Sequence, residues 1–271
     1  MRFIDCAQGS EEWHLARAGV TTASDFADAV AITGGLDEKQ QAYVDALKAG
    51  KSETEARLVA GYKNKPSSSG IERALAGLPV GEPADPAIRL AVKKAIERIS
   101  KKPYGNTGGN FYATARGHEG EAFARMRYEA RFELLVEEAG LCVADEGMFG
   151  ASVDGLVMDD GLIEVKVPVD LLKVIRIIQT GDLSEYMHQM QGQMWITGRK
   201  WVDFLMGVPD LAGLNNGNEL YVKRVMRDDD FIEKMEEQLW EHEGRVRKYE
   251  KLLREPYSSV ANDLIKLAET A

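Results

Sequence analysis

Met148-Phe149-Gly150-Ala151-Ser152-Val153-Asp154-Gly155-Leu156-Val157-Met158, then Asp159-Asp160-Gly161, then Leu162-Ile163-Glu164-Val165-Lys166-Val167, is the stretch that decides the fold. The first run reads as a strand interrupted by a tight site. Asp159-Asp160-Gly161 is a hairpin signal, because Asp and Gly tolerate the backbone angles of a sharp reversal. The last run alternates. Glu164 and Lys166 are two apart in a strand and face one side, while Ile163, Val165 and Val167 read as core-facing. Closing the hairpin brings Asp154 beside Glu164.

Two carboxylates so placed offer hard oxygen ligands suited to Mg²⁺ or Mn²⁺. Lys166 beside them can position or activate water, or stabilise negative charge on a phosphoryl group. The bland alternative is an exposed strand, on which charged residues alternate often. Two helical residues can complete the site. Glu121 lies near the start of a helix expected from Arg116 to Ala139 and can point into the same cleft to bind a cation; an exposed helix-start carboxylate is the other reading. Gln189, within Tyr186-Met187-His188-Gln189-Met190-Gln191, can orient water or phosphate, or be an ordinary polar position on a half-buried helix. With four histidines that do not cluster, His188 is no metal ligand. A further set, Trp13-His14, Arg17 and Thr22-Ala23-Ser24, can hold a phosphate through Arg17, Ser24 and helix N-terminal amides, or be a capping motif plus a surface arginine.

Outward from this centre, the pattern predicts helices over Asp5–Ala16 with Ser10 as cap, from Thr22 or Ser24 through Phe26 and Val30, and from Glu38 to about Gly61. The Pro- and Gly-rich stretch from Gly61 to Pro86 reads as a flexible excursion with one short helix near Ile71–Ala76. A basic helix follows from Pro86 to Pro103, facing either nucleic acid or plain solvent. Gly140 is read as the stop of the Arg116 helix. Helices over Leu171–Ile178 and Ser184–Ile196, strands over Trp201–Val208 and Glu219–Arg227, and a closing helix over Asp228–Leu253 complete the reading.

With 271 residues, the chain has room for one large or two small domains. Its hydrophobic content of 44% excludes a wholly disordered chain. The net charge of −10 argues against a basic protein that coats nucleic acid, but leaves room for an enzyme with a local basic groove. Two cysteines without redox or zinc spacing fit a reducing cytoplasm. The first residues hold no apolar run of signal-peptide type, and no eighteen-residue apolar stretch occurs, so no membrane association is expected.

Five stretches in order carry a family likeness: Trp13-His14…Arg17…Gly19-Val20-Thr21-Thr22-Ala23-Ser24, Arg116-Gly117…Glu121…Ala124-Arg125, Ala151-Ser152-Val153-Asp154-Gly155, Glu164-Val165-Lys166-Val167-Pro168, and Tyr186-Met187-His188-Gln189-Met190-Gln191…Met194-Trp195. The set resembles the YqaJ-type viral recombinase nucleases, the family of the phage lambda exonuclease. The resemblance implies an α/β fold with a restriction-endonuclease-like core, a central mixed sheet flanked by helices. It implies one nuclease domain over 1–271 with a variable helical and loop excursion around 28–115.

It further implies a Mg²⁺-dependent 5′-to-3′ exonuclease that digests one strand of linear duplex DNA to mononucleotides, leaving a 3′ overhang for recombination by strand annealing. Mn²⁺ is expected to substitute, with two ions per site. Asp154 and Glu164 with the Val165 carbonyl correspond to the central metal ligands, Glu121 to the helical carboxylate of the second metal, and Lys166 and Gln189 to catalytic neighbours. Arg17, Ser24 and Ser152 correspond to the residues that hold a terminal 5′-phosphate. The implied partners are 5′-phosphorylated DNA ends, two further copies in a ring-shaped homotrimer (a toroid), and a single-strand-annealing recombinase; the source is a phage or prophage. A structure-specific endonuclease and a DNA-end-binding scaffold are the competing classes.

Overall fold

Strand Gly155–Val157 pairs antiparallel with strand Gly161–Lys166, Gly155 opposite Ile163 and Val157 opposite Gly161. Met158 takes the left-handed conformation at the reversal, φ 51°. The interruption at Val153–Asp154 has a physical meaning. The preceding strand, Phe149–Ser152, belongs to a different sheet, so the chain changes sheets at Asp154. The computed structural model describes residues 1–105, 111–214 and 216–255, and side chains outside 111–118. The side chain of Arg116, Asn215 and the tail from Pro256 lie outside the described residues.

The chain divides into two compact units, Met1–Ala29 with the residues from Leu90 onward, and Val30–Arg89. The first unit holds a five-stranded mixed sheet in the order Leu220–Met226, Trp201–Gly207, Gly161–Lys166, Gly155–Val157, Val136–Glu137. Trp201–Gly207 and Gly161–Lys166 run parallel. A parallel pair needs a long crossover. Helices Leu171–Thr180 and Met187–Thr197 supply it. A four-stranded sheet in the order Arg2–Ile4, Leu141–Val143, Phe149–Ser152, Thr21–Thr22 completes the strands of this unit. The α/β fold of mixed sheet and flanking helices is thus the observed one.

The expected toroid is corrected by these sheets. Among the described residues neither sheet closes or curls on itself. Each ends on edge strands of no more than three residues on at least one side, Val136–Glu137 in one and Arg2–Ile4 and Thr21–Thr22 in the other. Such short edges cannot carry a hydrogen-bond ladder round to the opposite edge.

Helix Phe111–Phe132 lies across the five-stranded sheet and buries Ala124 and Tyr128 against Val157, Ile163, Val165 and Leu205. A side chain at Gly120 would meet Val167 Cγ2 at 2.6 Å, so only glycine lets the helix approach the end of the central strand here. This helix ends at Phe132, short of Ala139, and Val136–Glu137 is the edge strand. Gly140 is therefore no helix stop; a Cβ there would sit 2.1 Å from the Ile4 carbonyl oxygen, where two backbones pack together.

Other expectations shift for local reasons. Ser10 caps the first helix, accepting from Trp13 N at 3.1 Å, but the helix is confined to Glu11–Arg17 behind strand Arg2–Ile4. The stretch after Thr22 forms a 3₁₀ turn, Ala23–Asp25, and a short helix, Phe26–Ala29. The closing helix is Asp229–Arg254, capped by Asp228. Its buried stripe is Ile232, Met235, Leu239, His242, Glu243 and Val246.

In the second unit the helix expected over Glu38–Gly61 is two, Glu38–Lys48 and Glu53–Val59. Gly50 turns with φ 80° and Ser52 starts the second with a reciprocal bond to Glu55. The excursion is built rather than loose. Helix Ser69–Leu75 places Ile71 and Ala74 in a core with Tyr43, Val44 and Ala56, and Ile32–Thr33 pairs with Glu82–Pro83. Among the described residues no helix is long and apolar enough to cross a membrane.

Candidate active site

The site grows from the two places the sheet brings together: the sheet change at Asp154 and the outer half of strand Gly161–Lys166. The Val165 backbone N–H donates to Asp154 Oδ2 at 2.7 Å, tying the carboxylate to the neighbouring strand. Arg125, from the crossing helix, donates to the Asp154 carbonyl at 2.9 Å and to Glu138 at 3.0 Å. Burial, and then the negative charge of Glu164, push the Asp154 carboxyl well above the usual carboxylate range. The Val165 amide and Lys166 oppose that shift, while Glu121 adds to it.

Glu164 is 1% exposed. A carboxylate so buried needs donors. Gln189 Nε2 donates to its Oε1 at 2.7 Å, Gln193 Nε2 to its Oε2 at 2.5 Å, and Lys166 Nζ forms an ion pair with Oε1. Burial disfavours the charge on Lys166, but Glu164, and then Asp154, outweigh it and hold the ammonium above the ordinary lysine range. Lys166 also lies 5.7 Å from the centre of the Tyr186 ring. Asp154, Glu164, Lys166 and Gln189 therefore form one cluster.

Glu121 is half-buried on the crossing helix. It lines, with Asp154, Val153 and Arg125, a cavity of about 520 Å³. Among the described residues no group of three or more His, Cys, Asp or Glu side chains is arranged as a metal cage. The chemistry of the donors nonetheless suits a divalent cation: the group that raises Asp154 most after burial is a second carboxylate, and both offer hard oxygen.

A second cluster lies near the first helix. Arg17 Nη2 donates to Thr22 Oγ1 at 2.6 Å and Ser24 Oγ at 3.1 Å. Its guanidinium lies over the Trp13 ring, 4.2 Å from the centroid. The Ser152 hydroxyl accepts from Trp13 Nε1 at 2.9 Å, the indole whose ring lies under Arg17. The turn and helix after Thr22 are too short for their ends to add much to anion binding. Asp25 braces the cluster, accepting from Thr22 Oγ1 at 3.1 Å and pairing with the buried Lys94 at 3.1 Å. Burial pushes the Asp25 carboxyl up, but Lys94, then Arg17 and the Thr22 amide, pull it below its ordinary value.

The basic helix is Asp85–Ser100, and two of its cations face inward. Lys94 serves Asp25 and Glu97, and Arg98 grips Glu243 through both guanidinium ends at 2.8 and 2.7 Å. These two are structural ion pairs. Sequence reasoning missed Gln193. Its signal was the four-residue spacing from Gln189, which puts both on one face of helix Met187–Thr197. Gln191 points elsewhere, to the Met226 carbonyl and the Asp228 amide.

Fold and site together define an α/β protein with a nuclease-like core, its acidic cluster set at the end of the central strand of a mixed sheet. The family model described as the YqaJ-like viral recombinase domain matches residues 12–200, and the chain belongs to that family. Among solved structures, an alkaline exonuclease (LHK-Exo) from Laribacter hongkongensis is 26% identical, with a TM-score of 0.62 over 97% of this chain and 100% of that one. The same exonuclease in complex with dAMP gives a TM-score of 0.64 at the same identity and coverage. No curated protein sequence matches.

Proposed function

We propose that the protein is a Mg²⁺-dependent exonuclease that digests one strand of linear double-stranded DNA from its 5′ end to mononucleotides, leaving a 3′ overhang. The observation that carries this is the cluster of Asp154, Glu164 and Lys166 in the same unit as the Arg17–Ser24 pair. The alkaline exonuclease it resembles, and the dAMP bound in one of that protein's structures, support a nucleotide-releasing reaction.

Glu121, Asp154, Glu164 and the Val165 carbonyl would hold two Mg²⁺ ions, with Mn²⁺ as a substitute. When bound, the metal lowers the pKa of water and neutralises charge on the leaving oxygen. The chain's own residues do the rest. Water attacks the phosphorus that joins the first two nucleotides, and the 3′ oxygen of the first leaves. Lys166 orients the attacking water and offsets the negative phosphoryl oxygens. Gln189 holds Glu164 in place and lies beside that water. Arg17 with Ser24, and Ser152 from the adjoining strand, hold the terminal 5′-phosphate, so polarity is a matter of position.

The family likeness also supports a homotrimer, a single-strand-annealing recombinase that takes up the overhang, work in the cytoplasm, and a phage or prophage source. The deciding experiment is digestion of linear duplex labelled at either end, with Mg²⁺ or with EDTA, beside closed circles. Early release of the 5′ label as mononucleotide, from linear DNA and only with metal, is expected. Nicked circles would replace this reading with an endonuclease, and binding without any product with a DNA-end scaffold.

A further inference from the structure

Gln193 is fully buried, one helical turn beyond Gln189. Its amide nitrogen meets two acceptors, Glu164 Oε2 at 2.5 Å and the Ser152 carbonyl at 3.3 Å. With an acceptor on each side, the NH₂ end of the side chain must point here. Its own oxygen is buried and has no partner among the described residues. Leaving a buried oxygen unpaired is unfavourable, and an apolar side chain of the same shape would avoid it. The two donated bonds are what distinguish glutamine at this position.

Those bonds join the two clusters. From Glu164 the path runs through Gln193 to the Ser152 carbonyl, from the Ser152 hydroxyl to Trp13 Nε1, and from the Trp13 ring to Arg17 and Ser24. Every joint is a hydrogen bond or a ring contact, and the elements carrying them, helices Met187–Thr197 and Glu11–Arg17, strands Gly161–Lys166 and Phe149–Ser152 and the turn Ala23–Asp25, lie inside one unit. Ser152 is also two residues before Asp154, so Gln193 restrains both carboxylates against the end-holding side chains.

We infer that Gln193, through Ser152 and Trp13, sets the distance between the side chains that grip the DNA end and the carboxylates at the reacting phosphodiester, and so determines that the cut falls after the first nucleotide. The inference rests on the exonuclease reading above. Gln193 is a positioning residue: it touches Glu164 and Ser152, not the substrate.

The test uses the full chain and a linear duplex with a 5′-phosphate or a 5′-hydroxyl end. Q193M keeps the length of the side chain and removes both donors. Its first products should spread from mononucleotides to di- and trinucleotides, and its rate preference for the 5′-phosphorylated end should fall about tenfold, the lower range for a residue that orients metal-binding groups. Binding of the 5′-phosphorylated duplex in EDTA should stay within about twofold of native, because Arg17 and Ser24 are untouched. W13F removes the donor to Ser152 while keeping an aromatic ring under Arg17, and should broaden product length in the same way. It carries the test if Q193M lacks a native melting transition. Product length and end preference would not move if Gln193 only filled space. Mononucleotides alone, with native end preference, from both variants overturn the inference while the exonuclease reading stands. A native protein that releases nothing from linear duplex overturns that reading, and this inference with it.

Discussion

Replacing His242 by leucine should abolish a loss of stability of about 2 kcal/mol between pH 7 and pH 5. His242 sits on the closing helix, is fully buried, and has no hydrogen-bond partner for either ring nitrogen among the described residues. Burial, and then the charges of Arg245 and Lys94, pull its pKa from 6.5 to about 4, with Glu243 and Asp25 opposing. The folded state therefore keeps the imidazole neutral where the unfolded chain protonates it. Between those two values the unfolded state binds more protons, so stability falls as pH falls, and below the folded value the loss is complete. Each pH step of one across that window removes roughly 1.4 kcal/mol, so the whole window amounts to about 3 kcal/mol. Urea unfolding followed by tryptophan fluorescence at stepped pH, native against H242L, isolates the effect as the difference between two slopes, since the carboxylates common to both cancel. The two curves should run parallel above the ordinary histidine range, change their separation through the window as the native protein loses stability, and run parallel again at its acid end. Equal slopes across the window would refute the reasoning, because a buried neutral histidine must produce the difference.

Asp154→Ala or Glu164→Ala should lower Mg²⁺-dependent cleavage by about a thousandfold or more with the melting transition retained; a near-native rate in gel-based digestion would remove these residues from the chemistry. Arg17→Ala should cost about tenfold or more on 5′-phosphorylated ends and little on 5′-hydroxyl ends, and equal losses on both would argue against an anchoring role. Asp203→Ala leaves Tyr128 Oη and the Arg224 fork without their shared carboxylate, and should destabilise by about 3 kcal/mol in chemical denaturation. Gly120→Val should destabilise the helix–strand contact at Val167 by about 1–3 kcal/mol and slow cleavage through Glu121; an unchanged melting temperature would show that the contact yields freely.

The hairpin was legible because its signals are local. Alternation fixes the faces of adjacent strand residues, and Asp-Asp-Gly fixes where they reverse, so Asp154 beside Glu164 follows from covalent geometry and period alone. The helix of Gln189 was legible for the same reason. Helix ends were less so. The apolar pattern that carries helix Phe111–Phe132 continues into an edge strand, and Gly140, which resembles a stop signal, is there for a backbone contact with Ile4. In the Pro- and Gly-rich stretch the one short helix was legible, but not the core it shares with the two helices before it.

By itself the sequence determined what depends on neighbours along the chain: the α/β class, the hairpin, the shared face of Glu164 and Lys166, and the family to which five ordered motifs belong. Tertiary structure alone decided what depends on neighbours in space. It placed Gln193 on Glu164 across 29 positions, turned Lys94 inward onto Asp25, and closed a neutral histidine among charged groups. It also showed why the strand breaks at Asp154, where the chain leaves one sheet for another. Burial and pairing over such separations are set by how sheets and helices stack, and a charged or polar side chain reads the same in sequence whether water or another side chain satisfies it.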